Sequence, residues 1–557
     1  MNTPNLAPIP TIWTTGTTES IMTGTWRAAL PQHIRAPAPC HGACPVNGDI
    51  AEWIGLARAR DFHGAWQVLT RHNPFPAIAG RICHHPCETA CNRGSYDKAL
   101  SICKLERFVG DQALEQGWTF DVADTPPKGR VAIIGGGPSG LSAAFQLRRS
   151  GFAVTIYESQ PELGGLMRYG IPAYRLARKI LDGEVNRIIA MGIEVRCNHP
   201  HNTPDAIAQV RQKYDAVYLA TGAAAQKHLP ILDYSQSWVT GGATYLAAAN
   251  AGSPLTMGKR LVVIGGGSAA LDAARSARRA GHDVTLVSLE LRAQMPAQHE
   301  EVIEGLEEGI VLVDGTQLDG VIDDGVAGLR LTCSRVQSAV TSRQGQFSVT
   351  PIEGSTFTLM ADAIVTSIGQ NPDLTPLGNH FATTGPLLKT DAHHATSESG
   401  FYAGGDLTSM ARFVTEAVGM GKHAAHAIER NLCRHDKELP EDDLYGHEAI
   451  VPISAINTYY YSKQPRAEAQ LLGASERLTH NAEVQLGLDM EQALAEGERC
   501  FSCGTCIDCD NCVIYCPDLA VQRTEDGYTV LTDYCKGCGL CVKECPTGSM
   551  KMREEVR

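Results

Sequence analysis

Residues 130–159 read RVAIIGGGPSGLSAAFQLRRSGFAVTIYES, and this stretch decides the fold. It opens with the apolar run VAII, which is typical of a buried parallel strand. Gly135, Gly137 and Gly140 follow in G-x-G-x-x-G spacing, then a helical pattern, and then a second strand that ends at Glu158. Strand, glycine loop, helix, second strand and terminal acid together predict a dinucleotide-binding domain.

Each part of this fingerprint has a physical role. The first glycine permits a tight turn, the second lets the backbone approach a pyrophosphate, and the third lets helix and strand pack closely. The helix N-terminus holds the anion, and the acid accepts hydrogen bonds from an adenosine ribose. The predicted binding residues are Gly135, Gly137, Pro138, Ser139, Gly140 and Glu158.

A second fingerprint begins with the apolar strand RLVVI at Arg260. Its predicted binding residues are Gly265, Gly267, Ser268 and Ala270, where Ala270 replaces the third glycine, an accepted variant. Two such units in one chain predict two Rossmann-like domains. We expect the first to hold FAD and the second a nicotinamide nucleotide.

The composition limits the classes of partner. The 557 residues suggest about three or four domains. A net charge of −13 argues against a nucleic-acid partner. The chain has no apolar run of about 18 residues and no secretory pattern at its N-terminus, so we expect a cytoplasmic protein without a membrane span.

The 19 cysteines are clustered, with six between Cys40 and Cys103 and ten between Cys500 and Cys545. Clustered cysteines in a long chain of this kind indicate metal or iron–sulfur ligation rather than a disulfide scaffold. In the first cluster, cysteine and histidine are mixed, which leaves zinc as an alternative. The spacing favours a [4Fe–4S] cluster whose thiolates come from two separated segments.

Three segments of this region, APCHGACP, NPFPAIAGRICHHPCETAC and ICKLERF, resemble the N-terminal iron–sulfur domain of the glutamate synthase small-subunit family. Full members carry a further C-x-x-C just upstream and hold two clusters, whereas this chain has HIRAPAPC there. The resemblance therefore implies one retained cluster. Its implied ligands are Cys44, Cys83 and Cys87, with a fourth from Cys40, Cys91, Cys103 or Glu106.

The resemblance also implies how the flavin is bound. The paired glycines Gly164 and Gly165, with Leu166 after them, would border the flavin. Thr221 and Gly222 resemble the element at which the chain of such flavoproteins crosses between domains. Gly405 and Asp406 resemble the second FAD signature. Thr415 begins a helix whose positive end would face the flavin. No redox C-x-x-C accompanies the first fingerprint, which argues against the disulfide-reductase branch.

The residues after the second strand of the second fingerprint indicate whether NAD(H) or NADP(H) is used. NADPH-using relatives would carry two adjacent arginines where Leu289 and Glu290 stand. A carboxylate there accepts a hydrogen bond from a free 2′-hydroxyl and repels a 2′-phosphate. We therefore expect Glu290 to favour NAD(H), while Arg292 keeps NADP(H) open as the alternative.

The C-terminal cysteines have the spacing of a bacterial two-cluster ferredoxin, in which the fourth cysteine of each run binds the other cluster. One cluster is therefore predicted on Cys506, Cys509, Cys512 and Cys545, and the other on Cys516, Cys535, Cys538 and Cys541. Cys500 and Cys503 extend the spacing upstream, either as thiols beside the clusters or as competitors for the register.

The predicted fold class is α/β multidomain. It comprises an N-terminal helical iron–sulfur domain (1–125), an FAD domain (126–238 and 360–435) with an inserted NAD(P)H domain (239–359), a linker (436–499) and a ferredoxin-like α+β domain (500–557). The predicted function is hydride transfer from NADH to FAD, followed by single-electron transfer through [4Fe–4S] clusters to ferredoxin or an iron–sulfur partner enzyme, or the reverse. The alternatives are a glutamate synthase β subunit and a non-catalytic electron-wiring subunit of a larger complex.

Overall fold

The computed structural model describes residues 27–122, 126–340, 347–410, 413–433, 448–525 and 527–555. Residues 1–26 of the predicted N-terminal domain and the first part of the expected linker lie outside these ranges. No helix in the described ranges combines the length and the apolar character needed to cross a bilayer.

The first fingerprint builds a five-stranded parallel sheet. Its strand order is Phe401–Ala403, Ala216–Leu219, Arg130–Ile134, Ala153–Tyr157 and Glu194–Arg196. Its helices are Pro138–Arg149, Leu166–Tyr169, Arg178–Ile189, Pro204–Lys213 and Val414–Cys433. The long last helix packs along Pro138–Arg149, so the fingerprint helix is covered by a segment nearly 300 residues later in the chain.

The second fingerprint builds another five-stranded parallel sheet, ordered Val311–Val313, Asp283–Val287, Arg260–Ile264, Ala363–Thr366 and Val239–Gly241. Its helices are Gly242–Asn250, Ser268–Arg279 and His299–Glu307. The predicted boundary at residue 360 is therefore wrong. Ala363–Thr366 is apolar and buried, and it pairs with the nucleotide-domain strand instead of the first sheet.

An antiparallel sheet extends the second domain, with strands Thr316–Asp323, Leu329–Val340, Phe347–Pro351 and Phe357–Ala361. The chain crosses between the two Rossmann units on a short pair, Ala225–Gln226 with Gln370–Asn371. Another short pair, Thr383–Thr384 with Leu387–Leu388, follows in the first unit.

The N-terminal module is helical, as predicted. Its helices are Pro39–Ala43, Ile50–Arg58, Phe62–Thr70, Pro76–Ile82, Pro86–Thr89 and Ile102–Glu115. Trp53, Trp66 and Phe108 belong to its apolar core. The last helix crosses Pro76–Ile82 at two glycines, Gly80 and Gly110, where a methyl group would overlap the facing backbone.

The C-terminal part contains the helices Ala474–Arg477, Met490–Glu498, Asn511–Ile514 and Leu540–Lys543 and the hairpin Val521–Thr524 with Gly527–Val530. Its described residues do not form a free linker. Leu488 and Ala493 are buried in the core of the N-terminal module. The last strand, Met550–Glu554, pairs antiparallel with Ala29–His33, so the two ends of the described chain share one sheet.

The crossing of the two N-terminal helices offers a matched pair of substitutions. We expect Gly110→Ala to destabilise the protein by about 1–3 kcal/mol, the usual cost of overpacking, because the methyl group would meet the backbone of Ala77. Gly55→Ala is the control. It adds the same methyl group within a helix where no atom lies within 4 Å, and we expect it to be neutral or slightly stabilising. Thermal unfolding of the two holoprotein variants measures the effect. Equal changes in their unfolding midpoints relative to the unsubstituted protein would contradict the packing argument.

Candidate dinucleotide and iron–sulfur sites

The first glycine loop is shaped by close backbone contacts. Gly135 has a φ of 110° and lies against the carbonyl of Ala220, which excludes a side chain. A side chain at Gly140 would overlap the carbonyl of Gly135. Pro138, which has no N–H, begins the helix after the N-cap Gly137. The free N–H groups of this first turn are therefore left to bind an anion.

Glu158 is 7% exposed and closes the loop from the end of the second strand. Its Oε2 accepts a hydrogen bond from Gly136 N at 2.7 Å, and its Oε1 accepts from Gln160 N at 2.8 Å and from Ser159 Oγ at 3.0 Å. A carboxylate offers about four acceptor positions. One therefore remains for a ribose hydroxyl.

Three later segments converge on this loop. A side chain at Gly165 would come within 2.8 Å of Gly137 Cα, and one at Gly405 within 3.1 Å of Ser139 Cβ. Ser139 Oγ lies 2.7 Å from the hydroxyl of Tyr218. The backbones form a narrow cradle around the helix N-terminus, a shape that fits FAD.

The remaining predicted FAD residues lie around this cradle. Gly164 precedes the short helix Leu166–Tyr169, in which Leu166 is 42% exposed. Thr221 and Gly222 follow the strand Ala216–Leu219, and Asp406 lies in the single helical turn after Phe401–Ala403.

The second loop resembles the first, except that Ala270 stands where the first loop has Gly140. Gly265 lies against the carbonyl of Ser367, and Glu290 Oε2 lies over Gly266 as Glu158 lies over Gly136. Gly267 caps the helix that begins at Ser268 and contains the fully buried Ala270. Ser268 Oγ is buried, and none of the residues that the structure describes is its hydrogen-bond partner, which fits a nucleotide oxygen in that role. Arg292 is exposed in the loop beyond Glu290.

The flavin-domain helix Val414–Cys433 contacts the iron–sulfur module directly. Thr415 Oγ1 lies 3.5 Å from Cys83 Sγ, and both residues are buried. One turn later, a side chain at Gly419 would overlap the carbonyl of Pro45, which follows Cys44. The end of the helix that is predicted to face the flavin therefore also touches a predicted cluster ligand.

Cys44, Cys83 and Cys87 lie around the carboxylate of Glu106. Burial raises the pKa of each thiol, and charge repulsion from Glu106 raises it further. Burial also raises the pKa of Glu106 to about 8, although Asn73 Nδ2 donates a hydrogen bond to it at 2.8 Å. These groups can all ionise in a buried place only beside positive charge, which a [4Fe–4S] core would supply.

The other candidates for the fourth ligand are placed differently. Cys103 lies near Cys83 and Glu106, but its Sγ donates a hydrogen bond to Ala79 O at 3.6 Å. Cys40 and Cys91 line a different cavity, together with Cys500 and Cys503. Among the candidates named from the sequence, Glu106 is the one placed with all three cysteines.

The ferredoxin cysteines form two further cavities, grouped as the crossed ligand pattern predicts. One, of about 290 Å³, is lined by Cys506, Cys509, Cys512 and Cys545. The other, of about 280 Å³, is lined by Cys516, Cys535, Cys538 and Cys541. Cys545 lies with the first run of cysteines and Cys516 with the second, because the helices Asn511–Ile514 and Leu540–Lys543 pack against each other.

Three family descriptions match the chain. Residues 129–421 match pyridine nucleotide-disulphide oxidoreductase, residues 34–118 match dihydropyrimidine dehydrogenase domain II with its 4Fe-4S cluster, and residues 528–551 match the 4Fe-4S binding domain. The chain belongs to the pyridine nucleotide-disulphide oxidoreductase family. It is an FAD-dependent NAD(P)H oxidoreductase with iron–sulfur domains, and the family relationship predicted from the sequence is confirmed at this level.

Curated relatives extend the match over most of the chain. NADP(+)-dependent formate dehydrogenase subunit beta from Moorella thermoacetica is 34% identical over 84% of this chain and 70% of that protein. NADPH-Fe(3+) oxidoreductase subunit beta from Geobacter sulfurreducens is 30% identical over 84% and 75%. NAD-dependent dihydropyrimidine dehydrogenase subunit PreT from Salmonella typhimurium is 31% identical over 71% and 91%. The names of these members of the family therefore differ in the nicotinamide they specify.

Sequence reasoning missed two features of these sites. It did not find Tyr218, whose hydroxyl meets Ser139, because the residue is one of several apolar positions in an ordinary strand. It left Cys500 and Cys503 without a site. Their C-x-x-C spacing was the available signal, but spacing alone cannot indicate that ligands from the other end of the chain lie beside them.

The hydrogen bonds of Glu158 lead to a prediction about flavin retention. Glu158→Gln removes the charge and one acceptor, so we expect FAD to bind about tenfold more weakly, the scale of one hydrogen bond to a charged group. The control is Glu162→Gln, four residues along, where the side chain is 63% exposed. Release of flavin fluorescence on dilution measures both variants, and equal retention would contradict the ribose assignment.

Proposed function

We propose that the protein transfers electrons between NADH and an iron–sulfur partner, through FAD and a series of [4Fe–4S] clusters within the chain. The observation that carries this proposal is the contact between Thr415 and Cys83, which joins the flavin-side helix to the first predicted cluster site. Hydride donors and single-electron acceptors need an intermediate carrier, and bound flavin supplies that chemistry.

The residues of the chain act by binding and orientation. The two glycine loops fix the pyrophosphates at helix N-termini, while Glu158 and Glu290 bind the ribose hydroxyls. The helix that begins near Thr415 directs its positive end toward the flavin, where it stabilises negative charge. Hydride transfer requires no proton from a side chain, so this function needs no acid–base residue.

The position of Glu290 supports NADH as the nucleotide. Its carboxylate lies against Gly266 of the second glycine loop, where it would bind a free 2′-hydroxyl and repel a 2′-phosphate. The relatives named for NADP(H) and for NAD leave the choice to the residues of this chain.

The surface of the ferredoxin domain supports a protein as the electron acceptor. Cys509 and Cys538 are exposed, one in each predicted cluster site. In the same domain Ile514 is 70%, Leu519 77% and Leu540 43% exposed, and Leu540 lines the cavity that contains Cys538. Exposed apolar residues in a domain with exposed cluster ligands fit docking of ferredoxin or of an iron–sulfur partner subunit, and three of the relatives are named as subunits.

The function is tested by anaerobic stopped-flow absorbance of the reconstituted protein, mixed separately with NADH and with NADPH. Fast loss of flavin absorbance followed by loss of the broad cluster absorbance, with NADH preferred, is the expected result. Absence of reduction by either nucleotide would contradict the proposal and favour a non-catalytic electron-transfer subunit.

A substitution tests the nucleotide choice. Glu290→Gln keeps the shape of the side chain but removes the charge that repels a 2′-phosphate. We expect the ratio of kcat/KM for NADH to that for NADPH to fall about tenfold, the scale of one charge-assisted hydrogen bond. Glu353→Gln, on an exposed turn of the same domain, is the control and should leave the ratio unchanged. An unchanged ratio in both variants would remove Glu290 from nucleotide selection.

A further inference from the structure

One cavity of the molecule combines thiols from both ends of the chain. It has an empty volume of about 380 Å³, and Cys40, Cys91, Cys500 and Cys503 line it. The matched iron–sulfur families cover residues 34–118 and 528–551, so Cys500 and Cys503 lie outside both. We propose that these four cysteines bind an additional [4Fe–4S] cluster, formed between the N-terminal module and the C-terminal segment.

The four thiols face one another. Burial raises the pKa of Cys40 well above its usual range, and charge repulsion from Cys500, Cys91 and Cys503 raises it further. The same causes raise the pKa of Cys500 to about 11 and of Cys503 to about 12. Four thiolates in a buried space repel one another unless positive charge lies between them.

The walls of the cavity suit a cluster. Most of its lining residues apart from the cysteines are apolar, and they include Ile54, Leu100, Ile102 and Phe501. Polar donors reach the sulfurs themselves. Asn92 Nδ2 donates to Cys503 Sγ at 3.4 Å, and Ser502 N donates to Cys500 Sγ at 3.4 Å. Hydrogen bonds to ligand sulfurs and exclusion of solvent are the means by which proteins set cluster potentials.

The four thiols belong to the described residues, and they are not grouped as closely as a single zinc ion requires. A zinc site with bonds of about 2.3 Å brings its sulfurs to within about 4 Å of one another. In the part of the chain that the structure describes, no three His, Cys, Asp or Glu side chains are grouped closely enough to hold a single ion. A four-iron core is larger and keeps its thiolates farther apart, and it therefore fits this cavity.

The cavity also lies between the other cluster sites. Cys40 and Cys91 are each four residues from a cysteine of the Glu106 group, namely Cys44 and Cys87. Cys503 is three residues from Cys506, at most about 11 Å along the chain. Tyr461 is close enough to Cys500, Cys503 and Cys545 that all three raise its pKa, after the larger effect of burial. The additional cluster would therefore join the N-terminal cluster to the ferredoxin pair.

The experiment measures iron and acid-labile sulfide per chain in the anaerobically reconstituted full-length protein, with no nucleotide present. This readout does not depend on turnover, so failure of the site and failure of the proposed function are distinguishable. With the three other sites filled, we expect about sixteen irons per chain in place of about twelve. The electron paramagnetic resonance spectrum of the dithionite-reduced protein should contain the corresponding additional signal.

Variants from the two ends of the chain test whether one group is shared. Cys91→Ser, Cys503→Ser and the double variant should each lose about four irons, and the double variant no more than either single one. The control is Cys197→Ser with Cys433→Ser, which removes two scattered thiols and should lose no iron. The FAD content and the signals of the ferredoxin clusters report that each variant is folded.

Several outcomes would overturn the proposal. These are about twelve irons in the wild-type protein, unchanged iron in Cys503→Ser, stoichiometric zinc, or a disulfide between two of the four thiols in the mass spectrum of the anaerobic protein. A double variant that loses about eight irons would assign Cys91 and Cys503 to separate clusters.

Discussion

A buried ionic network at the junction of the two chain ends determines the architecture of the molecule. Arg93 and Arg499 are 2% and 1% exposed, and both bind Asp97, with nitrogen–oxygen distances between 2.6 and 3.0 Å. Arg93 also donates to the carbonyl of Arg499 at 2.8 Å, and Arg499 donates to Glu496 at 2.6 Å. Removing one partner of such a network leaves a buried charge, which typically costs about 3–5 kcal/mol. The network holds the peptide before Cys500 against the peptide after Cys91.

Because of this junction, the predicted binding sites lie on modules that pack directly on one another. The helix Val414–Cys433 contacts the iron–sulfur module at Cys83 through Thr415, at Pro45 through Gly419, and at Val46 and His72 through the buried Lys422. The N-terminal module in turn contacts the C-terminal segment through the cores around Trp53 and Phe501. Two of these contacts therefore lie next to predicted cluster ligands, at Cys83 in the N-terminal module and at Phe501, which follows Cys500, in the C-terminal segment.

The sequence was informative wherever the chemistry is local. Both glycine fingerprints, with Glu158 and Glu290, lie within about 30 residues each, so spacing alone predicted their strands, helices and facing acids. The crossed grouping of the ferredoxin cysteines has the same local origin. The sequence was uninformative where distant segments meet. The pairing of Ala363–Thr366 with Arg260–Ile264, the docking of Met490–Glu498 and the approach of Cys500 to Cys91 all depend on tertiary packing, which leaves no period in the sequence.

The sheet between Ala29–His33 and Met550–Glu554 has a consequence for biosynthesis. A ribosome makes the strand Ala29–His33 long before the strand Met550–Glu554 that pairs with it. The strand Ala29–His33 therefore stays unpaired during synthesis of both Rossmann domains. The Arg93–Arg499 contact likewise cannot form until Arg499 has been made. A translation product that stops before Arg499 lacks both contacts, and one that stops between Arg499 and Met550 can form the ionic network but lacks the strand pair.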